Sequence, residues 1–380
     1  MGRLTALRLH RLGYEICLFD KDDRAGSQSA AYAAAGLLTP YGESLHAERN
    51  IVAMGLESLS LWPKILDTLE GYTFFQRQGS ILISHEQDQG DFLRFRRHLQ
   101  QAYPECRAEH LDRQGLQALE PELARRFHQG LYLPQEGQIG NRKLLTALGL
   151  QLELEGVDWR TESRVTRIEN HQTGSRVEVN GQILDYDLVI DCRGLGAKAS
   201  SIKNLDMGLE RLRGVRGELF QLFAPEVSLT RPIRLMHPRY QLYVAPKPKG
   251  YFVVGATEIE SEDTGPMTVR SAMELLSAAY SVHPGFAEAQ IRQHLSQLRP
   301  AFDDNQPQIR VQGSTIQVNG LYRHGFLIAP VLLEQIEQTV QQINGQRQVP
   351  TSYQDWIAVT YHPTPTAQAS QDYDASTHQW

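Results

Sequence analysis

A glycine and an aspartate near the start of the chain have the spacing of a nucleotide-binding unit. Asp20 follows Gly2 by 18 residues. Between them, leucines recur at helical intervals, at Leu4, Leu7, Leu9 and Leu12. Gly13 is placed to end this helix, and Ile16, Leu18 and Phe19 predict a short buried strand that ends at Asp20.

The predicted helix and strand match part of a dinucleotide-binding βαβ unit. There the third glycine of a G-x-G-x-x-G turn lets the helix pack close to the sheet, and an acid after the second strand binds the ribose. Gly2 and Asp20 fit these two positions. The first strand and the other two glycines would then precede Met1, and without them we expect weak cofactor binding. The alternative is an ordinary helix–strand pair with a chance acid.

Two later segments could contact the nucleotide, and the second of them favours FAD over NAD. Residues 27–43 are rich in Ala, Gly and Ser, and their small side chains allow backbone to approach a flat ligand closely. Residues 187–191 predict a buried strand that runs into the turn Cys192-Arg193-Gly194. Together with the N-terminal unit, this turn suggests a second contact to the nucleotide.

The composition excludes several classes of protein. The net charge of -6 argues against nucleic acid or an anionic membrane as the main partner. No apolar run reaches the length of a membrane span, and no signal peptide is visible. The three cysteines form no metal-binding motif, so we expect a cytoplasmic protein without a metal site. The sequence leaves the formation of a homo-oligomer open.

The hydrophobic patterns predict an α/β (α+β) protein with two interleaved domains. A Rossmann-like FAD-binding domain takes residues 1–75, 140–212 and 310–350, and an antiparallel-sheet substrate domain takes 76–139 and 213–309. We predict a helix over 51–69 with a break at Trp62-Pro63, an exposed Arg-rich helix near 91–103 and four short strands over 159–199. A strand-like segment over 315–330 precedes the last helix, and the tail 351–380 is predicted to be loosely ordered.

Four segments in order along the chain resemble the glycine oxidases and their relatives in the D-amino-acid oxidase family. Each matches a family motif: AAAGLLTP (33–40), YVAPKPKGYFVVGAT (243–257), LRPAFDDNQP (298–307) and GLYRHGFLIAP (320–330). Two departures concern flavin contacts. Ala31 stands where the family usually has Ser, and Ser29 is expected to take the place of that serine across a small insertion. In the second departure, the glycine that the family usually has before Pro307 is absent.

The resemblance implies FAD as cofactor and assigns residues to both ligands. For the substrate it implies a carboxylate held by Arg299 and Arg323, with a hydrogen bond from Tyr243. The implied cofactor-binding residues are Gly2, Asp20, Lys21, Ser29, Ala35, Gly36, Leu37, Val165, Cys192, Gly194, Leu321, Tyr322, Arg323, His324, Gly325, Phe326 and Leu327. An end-of-strand ion pair for Arg299, and a core sheet position for Tyr243, are the alternatives.

The implied reaction is oxidative deamination of glycine or a small amino acid or amine. Hydride passes from the substrate Cα to flavin N5, O2 reoxidises the flavin to give H2O2, and the imine is hydrolysed or enters thiamine thiazole synthesis. No catalytic base is assigned, because the amine is expected to bind deprotonated. A family dehydrogenase that passes electrons to a quinone, or an inactive flavoprotein-like chain, are the alternatives.

Overall fold

The computed structural model describes residues 1–198, 208–237, 242–345 and 352–362. Its helices are α1 Gly2–Arg11, α2 Pro40–Glu43, α3 Arg49–Leu66, α4 Gln89–Ala102, α5 Arg113–Leu119, α6 Asn141–Leu154, α7 Val269–Val282 and α8 Gly325–Ile343. The first ten strands are β1 Cys17–Phe19, β2 Leu37–Leu38, β3 Phe75–Gln76, β4 Ser80–Ser84, β5 Glu109–Asp112, β6 Gln129–Leu133, β7 Gly137–Ile139, β8 Asp158–Arg160, β9 Val165–His171 and β10 Gly174–Val179. The others are β11 Gln182–Tyr186, β12 Val189–Asp191, β13 Arg213–Phe223, β14 Ile233–Met236, β15 Leu242–Lys247, β16 Tyr251–Gly255, β17 Gln290–Ala301, β18 Gln308–Gln312, β19 Thr315–Asn319 and β20 Val359–His362.

An eight-stranded sheet collects strands from two distant parts of the chain. Its order is β17-β13-β16-β15-β14-β4-β6-β5, and all neighbours are antiparallel except β14 and β4. These strands come from residues 80–133 and 213–301, both within the ranges predicted for the substrate domain. Leucine, valine and phenylalanine side chains on one face pack against α7 and form a separate core.

The predicted FAD-binding part contains two small sheets and the helices around them. β1 pairs in parallel with β8, and β12 pairs in parallel with β19, which continues through β18 to β20. α1 joins directly to β1, as the leucine spacing predicted. Buried residues of α1, α3, α6 and α8 form the main core with β18 and β19. The mixed architecture confirms the expected α/β (α+β) fold class.

Both prolines expected near helix boundaries lie inside helices. Pro63 is within α3, so the predicted break at Trp62-Pro63 was wrong. α8 begins at Gly325, so residues 325–330, predicted as strand-like, are helical and include Pro330. Pro330 has no N–H to bond the carbonyl oxygen of Phe326, four residues earlier. That oxygen instead accepts a hydrogen bond from Trp62 Nε1 at 3.0 Å, so packing of α3 on α8 satisfies the freed acceptor.

Three further expectations need correction. The segment 158–191 forms five strands rather than four. α4 is not simply exposed, because Phe92, Phe95 and Leu99 on one face are buried. Part of the tail is ordered, since Tyr353 and Ile357 are buried and β20 pairs with β18. The tail residues 363–380 lie outside the described residues. Within the described ranges, no helix is long and apolar enough to cross a membrane.

Candidate active site

One cavity of about 2130 Å³ brings together all the residues predicted to bind cofactor or substrate. Its walls include α1 and β1 at one end and the eight-stranded sheet at the other. The predicted residues that line it are Gly2, Asp20, Lys21, Ser29, Ala35, Gly36, Leu37, Val165, Cys192, Gly194, Tyr243, Arg299, Leu321, Tyr322, Arg323, His324, Gly325, Phe326 and Leu327. A long cavity between a nucleotide-type unit and an arginine-bearing sheet suits a ligand with two different ends.

Gly2 and Asp20 lie at the end formed by α1 and β1. A Cβ built on Gly2 would lie 3.7 Å from Leu18 Cδ1 and 3.9 Å from Cys192 Cβ, so Gly2 sits between β1 and the end of β12. Asp20 accepts a hydrogen bond from the Asp22 N–H at 3.1 Å, and its other oxygen lies 3.9 Å from Arg3 Nη2. Burial raises the pKa of Asp20 despite these contacts. Its contact with a ribose stays a prediction.

The loop around Gly36 lies where the cavity reaches the large sheet. Gly36 has a φ of +68°, and a Cβ there would lie 2.2 Å from the carbonyl oxygen of Ile139. Only glycine therefore fits this backbone. Ala35 and Leu37 pack against Leu219 and Tyr243 of the sheet. Nearby, Ser29 donates a hydrogen bond to the Gly26 carbonyl at 2.7 Å.

The N-terminus of α8 also faces this cavity, through residues 324–327. Its first backbone N–H groups have no acceptors within the helix, and the helix dipole adds partial positive charge there. His324, which precedes the helix, is buried, and within the described chain its Nδ1 has no hydrogen-bond partner. Burial, with Arg323 next to it, holds the pKa of His324 well below its ordinary value. The imidazole is therefore neutral and can serve as a hydrogen-bonding group.

Arg299 presents a free donor to the cavity. It lies on β17 opposite Val215 of β13, and its Nη2 donates to the Thr257 carbonyl at 3.1 Å. Its Nη1 is buried and has no partner among the described residues. Gly217 makes room for this side chain, because a Cβ there would lie 2.3 Å from Arg299 Nη2. Burial lowers the pKa of Arg299.

Tyr243 and Arg234 share the sheet face that carries Arg299. Arg234 of β14 stands opposite Tyr243 of β15, which stands opposite Gly255 of β16. Directly paired residues project from the same face, and the register continues through β13 to β17. Burial raises the pKa of Tyr243, while the charges of the nearby arginines oppose this shift. The phenol is therefore a neutral donor beside Arg299.

Arg323 is held by two carboxylates. Its Nε lies 3.0 Å from Glu43 Oε2, and its Nη1 donates to Glu258 Oε2 at 2.6 Å. Arg323 thus lies at the predicted substrate end, but protein carboxylates already contact two of its nitrogens. A direct contact between Arg323 and the substrate carboxylate stays a prediction.

The sequence reading missed Glu43, Arg234 and Glu258. Arg234 forms an ion pair with Glu43 and donates to the Gly42 carbonyl at 2.5 Å. Both side chains are buried, at 8% and 9% exposure. The available signal was a lone arginine in the apolar strand segment Ile233-Arg234-Leu235, where an unpaired charge would be costly.

The residues around the cavity fit FAD. The volume is large, the small residues Ala35 and Gly36 line it, and the N-terminus of α8 directs its partial positive charge at it. The unpartnered Arg299 Nη1 and His324 Nδ1 are buried polar atoms for which a ligand would supply partners. No group of three or more His, Cys, Asp or Glu side chains in the described ranges is arranged to hold a metal.

Comparison with known proteins identifies the family of the chain. Residues 1–334 match the family of FAD-dependent oxidoreductases that includes D-amino-acid oxidase, and the chain belongs to that family. It is 37% identical over 346 residues to a Rhizobium etli protein named as a thiamine biosynthesis oxidoreductase, ThiO, with 91% of this chain and 95% of that protein covered.

Two solved structures share the fold. Glycine oxidase from Geobacillus kaustophilus superposes with a TM-score of 0.77 at 20% identity, covering 92% of this chain and 93% of its own. Iminodiacetate oxidase from Chelativorans sp. BNC1 gives 0.76 at 19% identity, covering 96% and 97%. The chain is thus a ThiO-like FAD-dependent oxidoreductase with the fold of glycine oxidase, and the expected family and cofactor are confirmed.

Proposed function

We propose that the protein oxidatively deaminates glycine or another small amino acid or amine, with FAD as cofactor and O2 as electron acceptor. The observation that carries this proposal is the buried, unpartnered Nη1 of Arg299 beside the neutral phenol of Tyr243. A guanidinium and a phenol side by side provide the donors that a small carboxylate needs in a buried site. Cytoplasmic location and the two-domain division given above belong to the same proposal.

The protein groups orient the substrate and supply charge. Arg299 and Tyr243 hold the carboxylate, which fixes the direction of the substrate Cα. The N-terminus of α8 and Arg323 would lie beside the cofactor, where positive charge stabilises added electron density. Bound FAD supplies the hydride acceptor and, through its reaction with O2, the source of H2O2. Glycine, O2 and water would give glyoxylate, ammonia and H2O2.

We also propose that the imine formed from glycine serves thiamine thiazole synthesis. The name of the Rhizobium etli relative supports this role. Deleting the gene should make growth depend on added thiazole or thiamine. Normal growth of the deletion strain without either supplement would count against the role.

Substitution of Arg299 tests the proposed carboxylate site. Arg299→Lys keeps the charge but loses the planar pair of donors, and Arg299→Ala loses both. We expect kcat/KM for glycine to fall strongly, more for Ala than for Lys, with flavin content unchanged. Peroxide release and flavin absorbance of the purified variants provide the two readouts. If Arg299→Ala turns over glycine within about threefold of the parent, the change in activation free energy is under about 1 kcal/mol. Such a result would contradict the proposal.

A further inference from the structure

Five charged side chains from separate parts of the chain meet at the substrate end of the cavity. They are Glu43 at the end of α2, Arg234 on β14, Glu258 after β16, Arg299 on β17 and Arg323 before α8. Glu43 joins two of the arginines, because its carboxylate contacts both Arg234 and Arg323. Glu258 contacts Arg323 from the more exposed side.

The two arginines that share Glu43 are close enough to affect each other. Burial lowers the pKa of Arg234 to about 9, and the charge of Arg323 acts in the same direction. Arg234 therefore remains protonated at neutral pH. Two guanidiniums in a buried site repel each other unless a carboxylate compensates them. Glu43 is placed to do this for both.

The described charges at this end leave one positive charge without a protein counter-ion. Three guanidiniums face two carboxylates. Arg234 and Arg323 form ion pairs with them, whereas Arg299 forms no ion pair within the described residues. Arg234 Nε and Arg299 Nη1 both lack a hydrogen-bond partner there, but the charge of Arg234 is compensated by Glu43. Burial lowers the pKa of His46 and of His324, so both imidazoles are neutral at pH 7.5. The lining residues Asp91 and Arg94 form their own ion pair. One substrate carboxylate therefore neutralises the described site.

We propose that Glu43 is a specificity-determining residue that restricts this site to substrates with one carboxylate. The proposal rests on the proposed function, because it takes the first carboxylate to bind Arg299. A second carboxylate would need a second cation. Arg234 is already bound by Glu43 and the Gly42 carbonyl, so a dicarboxylate would have to displace Glu43 or bury an unpaired charge.

Three variants separate the effect of the site's net charge from the effect of substitution itself. Glu43→Gln raises it by one unit and frees Arg234 for a second carboxylate. Arg234→Met lowers it by one unit. The double variant Glu43→Gln/Arg234→Met restores the original charge while it removes the buried pair, a replacement that proteins often tolerate. The preference for one or two carboxylates should follow the charge and not the number of substitutions.

Acetate and malonate are the probes, since malonate is acetate with a second carboxylate. Their dissociation constants are measured by titration calorimetry on the flavin-loaded protein at pH 7.5. In Glu43→Gln the affinity for malonate relative to acetate should rise by about tenfold or more, the order expected for one added charge at short range. It should be unchanged in the double variant and should fall in Arg234→Met.

Glu120→Gln is the matched control. Glu120 is a buried carboxylate that pairs with Arg231 at 3.0 Å, and neither residue lines the cavity. Its loss should leave the ratio of the two affinities unchanged. If Glu43→Gln does not fold, Arg234→Met and the double variant decide, because the affinity for malonate relative to acetate should fall in the first and stay unchanged in the second. Equal ratios in all variants that bind acetate would overturn the role of Glu43, whereas failure of the parent to bind acetate would overturn the proposed carboxylate site itself.

Discussion

The three arginines at the substrate end show how one residue type takes three roles. Arg234 is paired with Glu43, Arg323 is held between Glu43 and Glu258, and Arg299 forms no ion pair in the described chain and donates only to the Thr257 carbonyl. A guanidinium has five N–H donors and stays charged when buried, so its neighbours decide what it binds. An arginine is therefore available to a substrate when no protein carboxylate is paired with it, and the presence of an arginine alone does not indicate this.

At this scale, Gly217→Ala should reduce activity without unfolding the protein. The new methyl group would lie within 2.4 Å of the Arg299 guanidinium, which can move because it is the end of a flexible side chain. Its displacement would misalign the donors. We expect kcat/KM for glycine to fall by roughly 10- to 100-fold, about 1.4 to 2.7 kcal/mol, with flavin content unchanged.

Gly90→Ala provides the control for that substitution. A Cβ at Gly90, in the first turn of α4, would meet nothing within 4 Å. Steady-state kinetics of the two variants should therefore differ clearly. Equal kinetics for Gly217→Ala and the parent would show that Arg299 tolerates displacement and does not hold the substrate through a fixed geometry.

At the scale of elements, short segments depend on their neighbours for position. α2 has four residues, too few to be stable alone. The Gly42 N–H donates to Glu136 Oε1 at 2.7 Å, and the Gly42 carbonyl accepts from Arg234. Glu136 also accepts a hydrogen bond from Ser80. The loop between β6 and β7 thus fixes α2, which in turn places Glu43.

Glu136 should make stability depend on pH. Burial raises its pKa to about 7 from an ordinary value of 4.5. Between these values the folded protein binds a proton that the unfolded chain has lost, so the free energy of unfolding falls as pH rises, by at most about 1.4 kcal/mol per pH unit. Above pH 7 this contribution is constant. Urea unfolding of the parent and of Glu136→Gln from pH 4.5 to 8 should show this slope in the parent alone.

The difference between the two proteins is the quantity to follow, since other groups titrate in both. A parallel pH dependence of their unfolding free energies would mean that Glu136 is ionised normally despite its burial. Its hydrogen bonds from Gly42 and Ser80 would then outweigh the cost of desolvation.

At the scale of the whole molecule, the cavity separates two structural parts that the chain crosses repeatedly. The eight-stranded sheet supplies Tyr243 and Arg299, while α1, β1, β12 and α8 contribute residues to the predicted nucleotide end. The C-terminal segment closes the core on the nucleotide side. Tyr353 and Ile357 are buried there, Tyr353 donates to Glu57 Oε1 at 3.1 Å, and β20 covers the edge of β18.

Truncation should show that this segment is part of the fold. A chain that ends at residue 351 loses two buried side chains and one of the two strands that pair with β18. We expect a loss of about 3 kcal/mol or more in the free energy of unfolding. A chain that ends at His362 keeps these contacts and should resemble the parent. Denaturant unfolding of both chains provides the measurement. Equal stability of the two truncated chains would mean that β20 and Tyr353 contribute nothing to the core.

The sequence by itself determined the features that depend on local pattern and on motif. The α1–β1 unit follows from the leucine periodicity, and the ordered motifs predicted the family and FAD. The apolar residues 326–333 suit a strand or a buried helix equally well, so packing on α3 decided that α8 begins at Gly325. The ion pairs of Glu43 join it to Arg234, 191 positions away, and to Arg323, 280 positions away (323 − 43). Only the tertiary structure brings such residues within reach, because a charge pair depends on distance in space and not along the chain.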